Sequence, residues 1–341
     1  MTSQSCPPAD EPDTEVAVIT GGASGFGLAL ADQCARRGMR VALLDIDVDR
    51  ARAEAETLSA RHGIAVTAVD MDASSAASVD AAAATVADRY GRADLVVSNV
   101  GVQLFGAVER LTDQEWQWVL DVNVIGSART ARAFLPLLRS APNGRLTFTT
   151  SSSVLDPAGR LGLYQAGKFA VWGLAETLRL ELADQITISV IFPSGMASRH
   201  LESSAAVQPA ELRRPIGEPA DFEAMAASNP GMVRAPVSPE QAAADIVDEV
   251  LAEGLAHLGE DAVVHAAVGA RGVGGAAVHG LDDGVHEVAR RHVRQEGGRG
   301  LPAGQELELH PHPSGLCQLD QFTADDFPGQ VEHQKRLHGE C

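Results

Sequence analysis

A chain of 341 residues with 45% hydrophobic and 21% charged side chains has the balance of a soluble globular protein and length enough for a substantial core, which excludes disorder throughout. Its formal net charge of −19 excludes nucleic acid as an expected partner, because the lysine and arginine contacts that displace phosphate counterions are lacking. No apolar run approaches the roughly 20 residues that span a bilayer, so no membrane insertion is expected and small molecules and other proteins remain as partners.

Residues 1–13 are polar, acidic and proline-bearing, without the basic start and apolar middle of a signal peptide, and read as a disordered leader of a cytoplasmic protein. From Val16 onward short β-like runs alternate with amphipathic stretches of helix length, the pattern of a parallel sheet covered on both faces. The predicted strands are "VAVIT" from Val16, "RVALLDI" from Arg40, "AVTAVDM" from Ala65, "DLVVSNV" from Asp94, "RLTFTTS" from Arg145 and "ITISVIF" from Ile186. "DVDRARAEAETLSARHG" is a predicted helix opened by acidic residues and closed by glycine, and another is predicted from Leu163 to about Ala183. The second is apolar on more than one side, as expected of a helix that also meets another subunit.

After Pro193 the pattern loosens, and positions 194–235 form a connection longer than a compact domain normally carries, which predicts a lid over a binding site or else a surface insert. "SPEQAAADIVDEVLAEG" then predicts a helix with Ser238 as N-cap and Pro239 in its first turn. One domain over 14–258 is expected. Residues 259–341 are rich in glycine and histidine and weakly periodic, and read as an irregular tail in which "DAVVHAAV" supplies at most one edge strand. Such an abrupt drift is what a fused segment or a shifted reading frame would leave. His310 and His312 match no closed ligand set, so no metal is expected. Cys6, Cys34, Cys317 and Cys341 are too scattered for a disulfide framework or a zinc site.

"TGGASGFG", Thr20 to Gly27, follows the first strand directly and opens the first helix. Gly21, Gly25 and Gly27 permit a tight turn, a close backbone approach to a pyrophosphate and close helix packing, while the helix N-terminus offers free N–H groups to phosphates. Asp45 ends the second strand, where a carboxylate accepts hydrogen bonds from ribose hydroxyls and repels a 2′-phosphate, favouring NAD over NADP. Together these predict a Rossmann-type, doubly wound parallel sheet in a three-layer α/β/α arrangement.

Only two tyrosines occur, and Tyr164 stands one helical turn before Lys168 in "YQAGK". A phenol with a reference pKa of about 10 is a poor base at neutral pH unless positive charge stabilises the phenolate, and Lys168 brings such a charge. Ser151, at the end of the fifth strand, places a hydroxyl on the edge of the sheet where ligands bind.

With these residues in view, the stretch from about Thr14 to Gly254 resembles the short-chain dehydrogenase/reductase family. The resemblance rests on "TGGASGFG", Asp45, "SNVG", Asn123 in "VNVIG", Ser151, "YQAGK" and "PSGMAS". It implies Tyr164 as general acid/base, Lys168 lowering its pKa and holding the nicotinamide ribose, Ser151 polarising the carbonyl and Asn123 anchoring a proton-relay water. Cofactor contacts it implies are Gly21, Ser24, Gly25, Phe26 and Gly27 in the loop, then Asp45 and Ile46 at the ribose. Asp70 and Met71 would lie near adenine, Asn99, Val100 and Gly101 along the cofactor beside Tyr164 and Lys168, and Pro193, Gly195, Met196 and Ser198 around the nicotinamide amide. Ser98, Val100 and Ser194 depart from the family pattern. The expected activity is NAD-dependent interconversion of a secondary alcohol and a ketone on a hydrophobic substrate, alicyclic, steroid-like or terpenoid-like, by a homodimer or homotetramer. The rivals are a non-catalytic NAD-binding regulator, against which the intact Asn, Ser, Tyr and Lys set argues, and a sugar epimerase or dehydratase, which usually has another glycine spacing.

Overall fold

The computed structural model describes residues 14–155, 157–193, 195–229, 237–252 and 265–268. All of them fall in one compact unit, 1–283. The leader, His310 and His312, Ser194 and the cysteines other than Cys34 lie outside the described residues.

Among the described residues seven strands lie in the order β3-β2-β1-β4-β5-β6-β7, all parallel. They are β1 (Val16–Thr20), β2 (Arg40–Asp45), β3 (Val66–Asp70), β4 (Leu95–Ser98), β5 (Arg145–Thr149), β6 (Thr187–Pro193) and β7 (His265–Val268). The last is the edge strand anticipated in "DAVVHAAV"; it pairs with β6, so the sheet continues beyond position 258. Strand β4 ends sooner than its apolar run suggests, because the N–H groups of Asn99 and Val100 leave the ladder for the Thr20 hydroxyl, at 2.9 and 3.1 Å.

Helices α1 (Gly25–Arg36), α2 (Val48–His62), α3 (Ala76–Tyr90), α4 (Asp113–Leu120), α5 (Gly126–Arg139) and α6 (Gly162–Leu182) follow the strand alternation. Period-3.6 apolar faces of α1, α2 and α9 (Pro239–Ala252) bury one side of the sheet around Ile19, Leu43 and Ile246. Those of α3, α5 and α6 bury the other around Phe134, Phe148 and Phe192. Sequence-local chemistry sets the ends. Asp47 caps α2 through the Arg50 N–H, and left-handed Gly63 closes it. Ser238 accepts from the Gln241 N–H to open α9.

The long segment after β6 is not structureless. It folds into α7 (His200–Ala206) and α8 (Pro219–Ser228), joined through a short turn at Ala210–Leu212. Short helices with small residues escaped the periodicity reading, because their packing is against the rim of a cleft rather than against the sheet. A third apolar cluster, containing Leu104, Phe105, Leu161 and Ile216 with Phe222 and Met225 against it, fills that rim.

Candidate active site

A cleft of about 420 Å³ opens at the carboxyl edge of the sheet, beside the point where strand order reverses between β1 and β4. One wall is the glycine loop. Gly21 and Gly25 take φ values of 65° and 53°, the left-handed region that favours glycine. At Gly25 an added Cβ would meet only the Ser198 Cβ, at 4.0 Å, so open space lies against this backbone. Ser24 makes no side-chain cap, leaving first-turn N–H groups of α1 for an anionic ligand. Gly27 is used otherwise: a Cβ there would stand 2.2 Å from the Gly21 carbonyl oxygen, so its role is packing the helix onto the loop.

At the end of β2 the Asp45 carboxylate accepts from the Ala23 N–H at 3.0 Å and from the Asp47 N–H at 3.0 Å. It is thereby held against the glycine loop. Ile46 follows as an exposed residue, and Asp70 stands opposite Asp45 in register and is exposed. Met71 is different. Its side chain is buried in the core and its N–H donates to the Asp45 carbonyl, so the structure does not bring it into the cleft. These features fit a dinucleotide: open glycine backbone and a helix N-terminus for a diphosphate, and a carboxylate at the ribose position.

The Thr20 hydroxyl ties the segment after β4 to β1, and Asn99 adds a bond from its Nδ2 to the Thr20 carbonyl at 3.1 Å. Gly101 sits where a Cβ would lie 3.4 Å from Lys168 Nζ and 3.5 Å from Asn123 Oδ1. Asn123 occupies a wide helical turn, Asp121–Ile125, between α4 and α5. Both ends of its buried carboxamide are engaged by Val102, accepting from its N–H at 2.8 Å and donating to its carbonyl at 2.9 Å. Its main-chain oxygen accepts from the Ser127 hydroxyl. The Asn123 side chain thus fixes the segment around Gly101 and does not itself line the cleft.

Ser151, Tyr164 and Lys168 do line it, with Pro193, Gly195, Met196 and Ser198. Ser151 follows β5 and Tyr164 belongs to the first turn of α6, and the serine hydroxyl is near enough to the phenol to act on its pKa. Lys168 is buried, and its Nζ donates to the Thr149 carbonyl at 2.8 Å, 5.6 Å from the Tyr164 ring centre. The electrostatics differ from the sequence expectation. Burial pushes the phenol up to about 12 against the smaller lowering effect of the Ser151 hydroxyl, and burial brings the Lys168 ammonium down to about 8. The chain's own groups do not favour the phenolate.

The lid expected over 194–235 contributes His200, Leu201, Phe222 and Met225 to the cleft, and the segment after β4 contributes Gln103 and Phe105, none of which the sequence singles out individually. No spacing marks them, since each reaches the cleft through tertiary packing. Helix α8 and the segment before it are held by buried carboxylates. Asp221 accepts from Arg110 at 2.5 Å, and Glu115 accepts from Arg214. Burial alone would raise the Glu115 pKa, but bonds from Arg214 and Thr112 outweigh it and hold the carboxyl below its usual range. Among the described residues no cluster of histidine, cysteine and acidic groups suited to a metal occurs, and no helix is long and apolar enough to cross a membrane.

A glycine loop sharing one cleft with a Ser, Tyr and Lys group, and a carboxylate held against that loop, are the features of a dinucleotide-dependent oxidoreductase. Residues 15–208 match the family model for short chain dehydrogenases, and the chain belongs to that family. Cis-1,2-dihydrobenzene-1,2-diol dehydrogenase of Pseudomonas putida is 35% identical over 192 residues, covering 55% of this chain and 68% of the relative. A short-chain dehydrogenase/reductase from Burkholderia phymatum, solved in complex with NAD, superposes with a TM-score of 0.67 at 27% identity over 88% of this chain and 100% of that one. An alcohol dehydrogenase from Thermococcus sibiricus, complexed with 5-hydroxy-NADP, gives 0.61 at 26% identity over 75% and 96%.

Proposed function

We propose that the protein is an NAD-dependent dehydrogenase that interconverts a secondary alcohol and a ketone on a substrate carrying an apolar ring. The observation that carries this reading is that Tyr164, Ser151 and Lys168 line the same cleft as the glycine loop, with the Lys168 ammonium 5.6 Å from the centre of the Tyr164 ring. A bound nicotinamide supplies the hydride acceptor, or the donor in the reverse direction. Tyr164 takes the hydroxyl proton as the carbinol is oxidised and returns it on reduction; Ser151 steadies the substrate oxygen in both states. Lys168 adds the positive charge and hydrogen-bond donors expected to orient the cofactor's ribose. Asn123, through Val102, and Thr20, through Asn99 and Val100, keep the intervening backbone in place.

The choice of NAD rests on Asp45, anchored by the Ala23 N–H where a 2′-phosphate would bring like charges together. No lysine or arginine occurs in the Thr20 to Gly27 loop to offset that repulsion. The preference for an apolar ring is supported by Phe105, Leu161, Leu201, Phe222 and Met225 in the lining, and by the ring-bearing alcohol that the Pseudomonas putida relative is named for. Exposed Phe169 and Leu180 on α6, the former stacked on Trp172, support assembly of two or more copies through that helix.

The test is oxidation of a panel of secondary alcohols with NAD and with NADP, run with wild type and Tyr164→Phe. Turnover with NAD that falls by orders of magnitude in the variant, with NADH binding unchanged, is the expected result. Equal turnover in both proteins, or use of NADP alone, overturns the reading.

A further inference from the structure

Two polar side chains in the cleft wall are used by nothing else. His200 and Gln103 line the cleft, and neither side chain makes a hydrogen bond among the described residues; only their main-chain groups are engaged. His200 opens α7, with its ring centre 6.4 Å from that of Tyr164 at an angle of 60°. The two rings therefore border the same volume. Burial, and then the charge of Lys168, bring the imidazole down to about 4, so near neutral pH it presents one N–H donor and one acceptor nitrogen. Gln103 offers the same combination through its amide.

The pair is built into the fold by a serine. The Gln103 N–H donates to the Ser204 hydroxyl at 3.0 Å, and that hydroxyl donates to the His200 carbonyl at 2.8 Å. Ser204 is buried, so the first turn of α7 is registered against the segment after β4, and His200 and Gln103 are held on one side of the cleft. Water serves both groups while the cleft is wet. A substrate that fills the cleft displaces that water, and an apolar occupant leaves both groups unsatisfied, whereas one with a suitably placed oxygen restores their bonds.

We propose that His200, with Gln103, is a recognition site for a second oxygen on the carbon next to the reacting carbinol, so that the substrate is a vicinal diol, or an α-hydroxyketone in the reverse direction. This rests on the reading of Tyr164 as the group that takes the carbinol proton. One carbinol loses its hydroxyl proton to Tyr164 and its hydride to the dinucleotide, while the second C–O bond is unchanged. His200 and Gln103 act on specificity, and the ring of the diol is covered by Phe105, Phe222 and Met225 on the apolar side.

The experiment compares cis-cyclohexane-1,2-diol with cyclohexanol, by initial rates with NAD and by equilibrium binding to the NADH complex followed through nicotinamide fluorescence. Wild type is expected to favour the diol by roughly 30-fold in both measurements. In His200→Leu that preference falls to within about threefold of unity because the diol loses more than cyclohexanol, His200→Gln restores part of it, and Gln103→Leu loses part of it. NADH affinity and melting temperature of each variant serve as the check on folding. Equal affinity of wild type for both alcohols, or equal loss on both in His200→Leu, overturns the proposal. If wild type oxidises neither alcohol, the reading of the chemistry fails, while binding to the NADH complex still decides whether the second-oxygen site exists.

Discussion

The ammonium of Lys168 is bound to the Thr149 carbonyl at 2.8 Å and stands 5.6 Å from the centre of the Tyr164 ring. It lies near the phenol but does not donate to it. Burial raises the phenol to about 12 and brings the ammonium to about 8, so the pair by itself keeps a proton on the tyrosine. The additional positive charge has to come from an oxidised nicotinamide. A spectroscopic titration of the phenolate, taken as the difference between wild type and Tyr164→Phe, should then give a midpoint above pH 11 without dinucleotide. Saturating NAD should lower it by at least about two units, since an added cation within a few ångströms in a buried site shifts a pKa by that order. NADH, lacking the ring charge, should have much less effect. A midpoint indifferent to NAD would remove the electrostatic account.

The same burial has a consequence for stability. A lysine whose folded pKa is about 8 against 10.5 unfolded destabilises the fold whenever it is protonated in both states, that is, below pH 8. The penalty fades as pH rises from 8 to 10.5 and vanishes above. Lys168→Met removes the charge and keeps the stem volume, at the loss of one donor to Thr149. It should raise unfolding stability at pH 7 by about 1–2 kcal/mol and show no advantage at pH 10.5. Urea unfolding at the two pH values measures this, and a variant less stable than wild type at pH 7 would contradict it.

Much of this was legible in the chain because it is local. Strand runs such as "VAVIT", the capped helix after Asp47 and the Tyr164 to Lys168 spacing are properties of neighbours in sequence, and each appears in the structure within a residue or two. What was not legible depends on tertiary placement. The pairing of the Asn123 carboxamide with Val102 depends on the wide turn at Asp121–Ile125, which no local pattern marks. Met71 sits one residue past Asp70, and strand alternation sends its side chain into the core. His200 lies in a seven-residue helix with no periodic signal, and its place beside Tyr164 depends on the Ser204 latch.

The glycines of the loop separate into two kinds, and substitutions should tell them apart. Gly25→Ala meets open space but requires φ near 53°, which strains an L-residue by about 1 kcal/mol and puts a methyl where backbone faces the cleft. That variant should fold, with a melting temperature lowered by a few degrees, and bind NADH at least tenfold more weakly. Gly27→Ala sets a methyl 2.2 Å from the Gly21 carbonyl oxygen, a clash that only displacement of α1 relieves. It should lose several kcal/mol of stability, as overpacking of this severity does, whatever its effect on the cofactor. Circular-dichroism melts and NADH titrations on both proteins check the contrast, and a Gly27→Ala protein as stable as wild type would contradict the packing role.

Two buried carboxylates hold the helical cover of the cleft, and each faces an arginine that remains partly in water. Asp221 immediately precedes Phe222, whose ring lies 4.7 Å from that of Phe105, so the bond to Arg110 sets the position of the apolar wall. Glu115, paired with Arg214 and capping α4 through Thr112, fixes the body side of the same cover. Asp221→Asn keeps the shape and removes the charge. Because Arg110 is half exposed and can return to water, the loss should be about 1–2 kcal/mol rather than the larger figure for a fully buried pair. It should appear as a several-fold rise in KM for ring-bearing alcohols, with kcat and NADH affinity nearly unchanged. For Glu115 the folded pKa lies below the reference value of 4.5, so its contribution is complete above that pH and is lost as pH falls through the lower folded value. Wild type should therefore loosen its cover only below about pH 4.5, while Glu115→Gln should show the raised KM at every pH and lack that acid step. Steady-state kinetics from pH 4 to 8 on the three proteins measures both effects, and a rise in NADH Kd equal to the rise in alcohol KM would show that the carboxylates support the whole cleft instead of its apolar wall.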